Sequence, residues 1–161
     1  QRQGLAMKPD ELRELYRGGR PNERAKSIQR RLMPIARLGL VPFSAVLEVT
    51  GRRSGQPIQL PIVVLTVAGS RYVVSMLGPT VNWVRNVEAA DGKAVVMRGR
   101  RRYVRLVRVA PGEAAPVLRR YLRIARSGRV HMDLTSTSTD RELAAAADRY
   151  PVFRIDPAPA G

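Results

Sequence analysis

The sequence from residue 44 onwards is built from short runs of β-branched residues that are separated by turn signals. Runs of this length and composition predict β-strands, and Gly, Pro and Ser mark the connections between them. Two of the runs are joined only by Gly99 and Arg100, which indicates a tight antiparallel hairpin. The predicted strands are SAVLEVT (44–50), IQLPIVVLTV (58–67), RYVVSM (71–76), AVVMR (94–98), RRYVRLVRV (101–109) and PVFRID (151–156).

Predicted helices surround these strands and do not follow each one in turn. This order favours consecutive antiparallel strands over βαβ units, and therefore an α+β fold, a small barrel with peripheral helices. We expect a single domain, with an N-terminal helical segment at 1–40 and the barrel at 41–161. The predicted helices are KPDELRELYRGG (8–19), NERAKSIQRRLMPIARLG (22–39), VNWVRNVEAA (81–90), GEAAPVLRRYLRIARSG (112–128) and TDRELAAAADRY (139–150).

The second predicted helix is basic and amphipathic, and Asn22 is placed to cap it. Pro34 is expected to bend or interrupt it. Two interpretations of the helix are open: packing against the domain, or peripheral contact with an anionic membrane. Its apolar stripe consists of Ile28, Leu32, Ile35 and Leu38.

Composition excludes several kinds of site. The chain has no cysteine, so disulfides, zinc fingers, iron–sulfur clusters and thiol nucleophiles are ruled out, and a cytoplasmic location is expected. A single histidine, His131, and acidic residues without ligand spacing predict no metal site. No segment has the roughly 20 apolar residues that a membrane-spanning helix needs.

The formal net charge of +16 suggests an anionic partner, or else reflects a GC-rich genome. Aromatic residues make up only 5% of the chain, and no nucleic-acid-binding motif is present. A basic nucleic-acid binder is therefore the weaker alternative, and no specific nucleic acid is expected as a partner.

The segment TGRRSG, at 50–55, places Arg52 and Arg53 side by side in a turn between two strands. Glycines at both ends allow backbone N–H groups to converge on an anion, and two guanidiniums with the Ser54 hydroxyl suit a phosphate. The alternative is a solvated arginine hairpin. The glycines lack the G-x-G-x-x-G spacing and no helix follows, so a Rossmann dinucleotide site is not predicted.

Two neighbouring features suit a flat ligand. Pro61 interrupts the hydrogen bonding of its strand, which marks an edge or a bulge. Trp83 and Asn86 lie three residues apart on a predicted helix and share one face, as a wall and an amide beside a planar ring would. A core position is the alternative for Trp83.

Taken together, these segments resemble a known family. TGRRSGQPIQLP, RYVVSMLG, NWVRNVEA and YPVFRIDP match, from about Val46 to Pro157, the deazaflavin-dependent nitroreductase and quinone-reductase family of actinobacteria. The resemblance implies a split β-barrel of the FMN-binding type that binds coenzyme F420, an 8-hydroxy-5-deazaflavin. It also implies hydride transfer from reduced F420 to a quinone, a nitro compound or an activated alkene.

The resemblance implies cofactor-binding residues as well. The F420 phosphate is expected at the turn, and neighbouring basic side chains are expected to bind its oligoglutamate tail. Ser75 is the only side-chain candidate for a catalytic role. Ile58 and Leu77 replace basic residues of the family pattern, which predicts weaker binding of the cofactor. The implied cofactor-binding residues are Arg52, Arg53, Ser54, Ile58, Gln59, Leu60, Pro61, Ile62, Val63, Val74, Ser75, Met76, Leu77, Asn82, Trp83 and Asn86.

Other functions are compatible with the same barrel. FMN in place of F420 is one alternative, and a non-catalytic lipid-binding protein is another. For the reductase, the expected partner is a small-molecule electron acceptor, and the expected state is a cytoplasmic monomer or homodimer, with or without peripheral contact to an anionic membrane.

Overall fold

The computed structural model describes residues 8–16, 20–125 and 128–159. Its seven strands are β1 (Ser44–Thr50), β2 (Pro57–Val63), β3 (Leu65–Val67), β4 (Ser70–Val74), β5 (Lys93–Arg98), β6 (Arg100–Arg108) and β7 (Val152–Pro157). They form one antiparallel sheet in the order β2-β1-β5-β6-β7-β4-β3, and the sheet curls until β2 contacts β4. This split barrel confirms the predicted α+β fold class.

The predicted strand at 58–67 is divided in the structure into β2 and β3. The two halves meet different neighbours, because β2 pairs with β1 as far as Ser44 and β3 pairs with β4. Between them, the backbone N–H of Val64 donates to the carbonyl oxygen of Phe43 at 2.7 Å. The division is thus a change of partner within one apolar run, which composition does not reveal.

Five α-helices lie around the sheet in the described residues: α1 (Pro9–Leu15), α2 (Glu23–Arg37), α3 (Asn82–Ala89), α4 (Pro111–Ile124) and α5 (Asp140–Ala145). A short 3₁₀ helix covers Arg129–His131. The predicted end of the first helix, at Gly18 and Gly19, lies outside the described residues. None of the described helices is long and apolar enough to cross a membrane.

Helix α2 begins as predicted, because the Asn22 side chain accepts a hydrogen bond from the backbone N–H of Ala25 at 2.8 Å. It continues through Pro34 to its end at Arg37, so the proline does not interrupt it. Because proline has no N–H, the helix lacks one hydrogen bond at this position, close to its C-terminal end. Ala36 packs against the outer face of β1 and β5.

The predicted apolar stripe of α2 is largely turned to solvent. Leu32, Ile35 and Leu38 are 49%, 41% and 63% exposed, whereas Ala25 and Ala36 are buried. The helix therefore packs on the sheet through Ala36, with Met33 beside it, and not through the stripe. Whether residue 40 is a domain boundary remains a prediction.

The barrel interior positions the segments that carry the candidate site. Val84 and Val87 are fully buried and fix α3 against the inner face of β1, which contributes Leu47 and Val49. This packing places the polar side of α3 beside the turn that joins β1 to β2. A second apolar cluster lies under α4 and α5, on the other side of β4.

Candidate cofactor-binding site

The turn between β1 and β2 is closed by its own backbone. The Gly51 N–H donates to the carbonyl oxygen of Gln56, and the Gly55 N–H donates to that of Gly51, both at 2.8 Å. The backbone N–H of Gln56 donates to the Ser54 hydroxyl oxygen at 3.2 Å. The N–H groups of the two glycines are therefore used within the turn, and the predicted convergence of the other backbone N–H groups of the turn on an anion stays a prediction.

Asn86 of α3 holds the turn in place. Its side-chain oxygen accepts hydrogen bonds from the backbone N–H of Arg52 at 3.1 Å and from the Arg52 guanidinium at 2.8 Å. Asn86 is only 3% exposed, so this acceptor is fixed by its surroundings. The guanidinium also reaches the side-chain oxygen of Asn82 at 3.5 Å. Arg52 is thus oriented by two amides.

An amide acceptor leaves the charge of Arg52 uncompensated. In the described residues, no carboxylate lies within 4.0 Å of the Arg52 or Arg53 guanidinium, and the backbone N–H groups of Arg53 and Ser54 make no hydrogen bond. By contrast, carboxylates pair at 2.5–3.1 Å with Arg101, Arg105, Arg119, Arg149 and Arg154. The turn therefore offers free donors and positive charge to an anion.

Little room is left for a side chain at position 51, and an alanine there would require the Ser54 side chain to move. A Cβ atom there would lie 2.5 Å from the Ser54 hydroxyl oxygen and 3.1 Å from Cδ1 of Ile58. Ile58 is 44% exposed and is thereby placed beside the cationic turn. The turn and the start of β2 form one continuous surface with an apolar edge.

Trp83 lies on the same side of α3 as Asn86, at the edge of the barrel core. Its ring is 5.6 Å from that of Phe153, at an interplanar angle of 60°. Leu60 and Val81 pack at the same edge, while Ile62, further along β2, is buried in the core. A half-buried tryptophan and a half-buried leucine provide an apolar wall next to the polar turn.

The intervening residues of β2 face the other way. The side-chain amide of Gln59 donates to Glu48 at 2.8 Å, and its oxygen accepts from Arg37 of α2 at 2.5 Å. Arg101 donates to both oxygens of Glu48, and these hydrogen bonds from Arg101, with that from Gln59, lower the pKa of the Glu48 carboxyl. Gln59 belongs to a polar network under α2, and Pro61 lies on the same face of the strand.

The loop after β4 is tied down by Ser75, which is 2% exposed. Its hydroxyl donates to the carbonyl oxygen of Gly78 at 2.6 Å, and its backbone N–H donates to that of Pro151 at 2.9 Å. The hydroxyl proton is thus already engaged. Met76 accepts a hydrogen bond from the Tyr121 hydroxyl at 3.2 Å, at the second apolar cluster.

The predicted residues therefore separate into groups. Arg52, Asn82, Asn86 and Ile58 meet at the turn, with Arg53 and Ser54 exposed on it, and Leu60, Ile62 and Trp83 pack together beside it. Val63, Val74 and Met76 belong to the second cluster, and Leu77 is half-buried in the loop after it. Gly51, Val81 and Phe153 shape the site but are not among the predicted cofactor-binding residues. The only sequence signal for Gly51 was its position as one of the two glycines that flank the arginine pair.

The fold and the turn define a split-barrel protein with a candidate site for a planar cofactor that carries a phosphate. Residues 22–148 match the model of the family described as F420H(2)-dependent quinone reductase. The chain belongs to this family, which confirms the resemblance. A search of curated proteins finds no match.

Solved structures with the same fold are distant in sequence. The protein Atu2129 from Agrobacterium tumefaciens str. C58, of unknown function, is 16% identical with a TM-score of 0.54, over 80% of this chain and 54% of that one. A heme binding protein from Mycobacterium smegmatis is 13% identical with a TM-score of 0.51, over 74% and 48%. The chain spans about half the length of either, and these likenesses show the fold alone.

Proposed function

We propose that the protein transfers a hydride from F420H2 to a quinone, with the phosphate of the cofactor bound at the Arg52–Ser54 turn and its ring against Trp83. The family match favours F420 over FMN and favours a reductase over a non-catalytic binder. Nitro compounds and activated alkenes are further acceptors that the proposal includes. The proposed partner is this small-molecule acceptor, and the proposed location is the cytoplasm, as a monomer or homodimer.

The observation that carries the proposal is the Asn86–Arg52 contact. A buried neutral amide orients an exposed guanidinium without cancelling its charge. A carboxylate in the place of Asn86 would hold the arginine more tightly but would leave little net charge for a ligand. The turn is thus organised for an anion from outside the chain, and a phosphodiester fits the fork of Arg52 together with the donors of Arg53 and Ser54.

The residues of the chain bind and orient the cofactor in this proposal. Bound F420H2 supplies the hydride, and the acceptor quinone takes up this hydride and a proton to become a hydroquinone. Trp83 and Leu60 give the ring an apolar surface that keeps water from one of its faces. Ser75 shapes the loop and does not supply the proton, because its hydroxyl already donates to Gly78.

The proposal is tested by titrating the protein with F420 and following the fluorescence of Trp83, the only tryptophan. Arg52→Glu with Arg53→Glu should weaken binding at least a hundredfold, because each lost charge-assisted hydrogen bond is worth about 1.5–3 kcal/mol and tenfold in affinity is about 1.4 kcal/mol. Arg52→Glu removes the bond from the guanidinium to Asn86 but keeps the bond from the Arg52 backbone N–H, so Tm should fall while the fold is retained.

A matched control makes the same charge change elsewhere. Arg123 and Arg141 are exposed and line a cavity of about 790 Å³ between β3, α4 and α5, away from the turn. Arg123→Glu with Arg141→Glu should leave F420 affinity within about threefold of the wild type. An equal loss in both double variants would show that F420 responds only to net charge, and the phosphate assignment would be wrong.

A further inference from the structure

The cavity of about 790 Å³ between β3, α4 and α5 is lined by none of the residues of the β1–β2 turn. Its volume is typical of small-molecule sites, which span about 300–1,000 Å³. The charged residues that line it are four arginines and a single aspartate. We call it the arginine cavity; these residues are Arg119, Arg120, Arg123, Asp140 and Arg141.

Helix α4 presents its arginines on one face. Arg123 follows Arg120 by three residues and Arg119 by four, and all of them line the cavity. On the other side of the helix, Leu118 and Leu122 are buried in the second apolar cluster. Like charges three or four residues apart destabilise a helix. The arrangement therefore lowers the stability of the fold unless an anion compensates the charge.

Arg119 is the compensated member of the set. Its guanidinium lies 2.6 Å from a carboxylate oxygen of Asp140 and donates to the backbone carbonyl oxygen of Ser136 at 2.7 Å. These contacts join α4 to the start of α5 and fix the two sides of the cavity relative to each other. They also use the only carboxylate that lines the cavity.

The other three arginines, Arg120, Arg123 and Arg141, are exposed. Within residues 8–16, 20–125 and 128–159, no carboxylate lies within 4.0 Å of their guanidiniums, and their side chains make no hydrogen bond. Glu142, next to Arg141 in the chain, accepts a hydrogen bond from the backbone N–H of Thr139 at 2.7 Å instead. Arg141 also lies in the first turn of α5, where the helix dipole favours acidic side chains, so helix stability does not account for it.

The rest of the cavity wall is small and apolar. It includes Val67 at the end of β3, Ala115 and Pro116 of α4, and Ala144 of α5. Because β3 is the last strand of the sheet, no strand in the described ranges covers its outer edge. At the rim, Ala68 has a φ of +49° in a turn where Asn, Asp or Gly is preferred, and alanine adds no carboxylate there. The cavity therefore combines uncompensated cations with an apolar surface.

We propose that the arginine cavity binds a small organic anion that carries two or more carboxylate or phosphate groups. The guanidiniums of Arg120, Arg123 and Arg141 bind the anionic groups through charge-assisted hydrogen bonds, and the apolar wall contacts the carbon skeleton. More than one anionic group is required because three uncompensated guanidiniums, on two helices, line the cavity. The concave shape favours a small molecule over a polyanionic strand, which needs an extended basic stripe. This second ligand site is independent of the proposed F420 site.

The test titrates the full chain with trimesate, a benzene ring that carries three carboxylates, and with fructose bisphosphate, in a calorimeter at physiological ionic strength. Benzoate, with one carboxylate on the same ring, is the control ligand. We expect the better polyanion to bind roughly tenfold more tightly than benzoate, since each added charge-assisted pair strengthens binding. Tighter binding of trimesate identifies carboxylates as the bound groups, and tighter binding of fructose bisphosphate identifies phosphates. If neither polyanion bound more tightly than benzoate, the proposal would be overturned.

The double variant Arg123→Gln with Arg141→Gln tests where the anion binds. It removes one charge from each helix, so the affinity for the better polyanion should fall by roughly tenfold or more. Both side chains are exposed, so Tm without the anion should stay close to that of the wild type. Arg30→Gln with Arg31→Gln removes the same charge from the exposed surface of α2, where screening limits the effect to about threefold or less. Equal losses in both pairs would show only general attraction of anions and would refute the cavity site, as would unchanged affinity in the cavity variant.

The β1–β2 turn is the other cationic site that has to be distinguished. Arg52→Glu with Arg53→Glu should bind the better polyanion as the wild type does, and the cavity variant should bind F420 as the wild type does. Loss of polyanion binding in the turn variant alone would place the anion at the turn and overturn the proposal. Polyanion binding in the cavity without any F420 binding would refute the proposed function alone, and the reverse result would refute the cavity site alone.

Discussion

Substitution of Asn86 separates the structural role of this residue from the charge that it leaves available. In Asn86→Ala, the turn loses the acceptor for the Arg52 backbone N–H and for its guanidinium. A neutral hydrogen bond contributes about 0.5–1.5 kcal/mol and one to a charged group about 1.5–3 kcal/mol, so the expected loss of stability is about 2–4.5 kcal/mol. For a chain of this size, that is a decrease in Tm of roughly 4–18 °C.

Asn86→Asp, unlike Asn86→Ala, places a negative charge beside Arg52. The acceptor remains, and the new carboxylate forms an ion pair with Arg52 at the position where the amide now lies 2.8 Å from it. Pairing with Arg52 offsets much of the desolvation of the buried carboxylate, so Tm should change less than in Asn86→Ala. F420 affinity should still fall at least tenfold, because the cancelled charge no longer serves the phosphate.

Thermal unfolding and F420 titration by Trp83 fluorescence measure the two effects. Asn22→Asp is the matched control, since it adds the same charge at the N-terminus of α2 and keeps the cap to Ala25, losing only the exposed hydrogen bond from its amide to the carbonyl oxygen of Glu14. It should leave both Tm and affinity close to the wild type. If Asn86→Asp bound F420 as well as the wild type does, the free positive charge of Arg52 would have no role and the reasoning would be refuted.

Three further variants test other parts of the account. Hydrogen bonds, chiefly from Arg101, hold the pKa of the Glu48 carboxyl below its ordinary value near 4.5. These bonds stabilise the fold above that value and are lost as the pH falls through the lowered pKa. On acidification, thermal unfolding should therefore show a smaller loss of stability for Glu48→Gln than for the wild type. Ser75→Ala should lower Tm yet keep the turnover with excess F420H2 within threefold. Gly51→Ala should weaken F420 binding in titrations, whereas Gly112→Ala, with open space around its Cβ, should not.

The sequence predicted the barrel because its strands are short, β-branched and separated by turns. It did not predict that the run at 58–67 changes partner at Val64, since both halves have the same apolar composition. For α2, the stripe was visible but its direction was not. Ala36, which contacts the sheet, is small, and periodicity alone favours the larger residues as the buried face.

At the candidate site, family motifs indicated segments that the fold brings together in part, but not the side-chain directions. Alternation along β2 turns Gln59 towards Glu48 and Arg37, away from Ile58 and Leu60. The role of Asn86 as the acceptor for the turn also depends on a contact between residues 34 positions apart. Such contacts follow from tertiary packing and have no local signal in the sequence.

The most direct test of the proposed function is the electron donor. Purified protein is mixed with menadione and, separately, with F420H2, reduced FMN or NADPH, and donor oxidation is followed by absorbance. We predict turnover with F420H2 alone, and its loss in Arg52→Glu with Arg53→Glu. Turnover with reduced FMN or NADPH at a comparable rate, or none with saturating F420H2, would contradict the assignment.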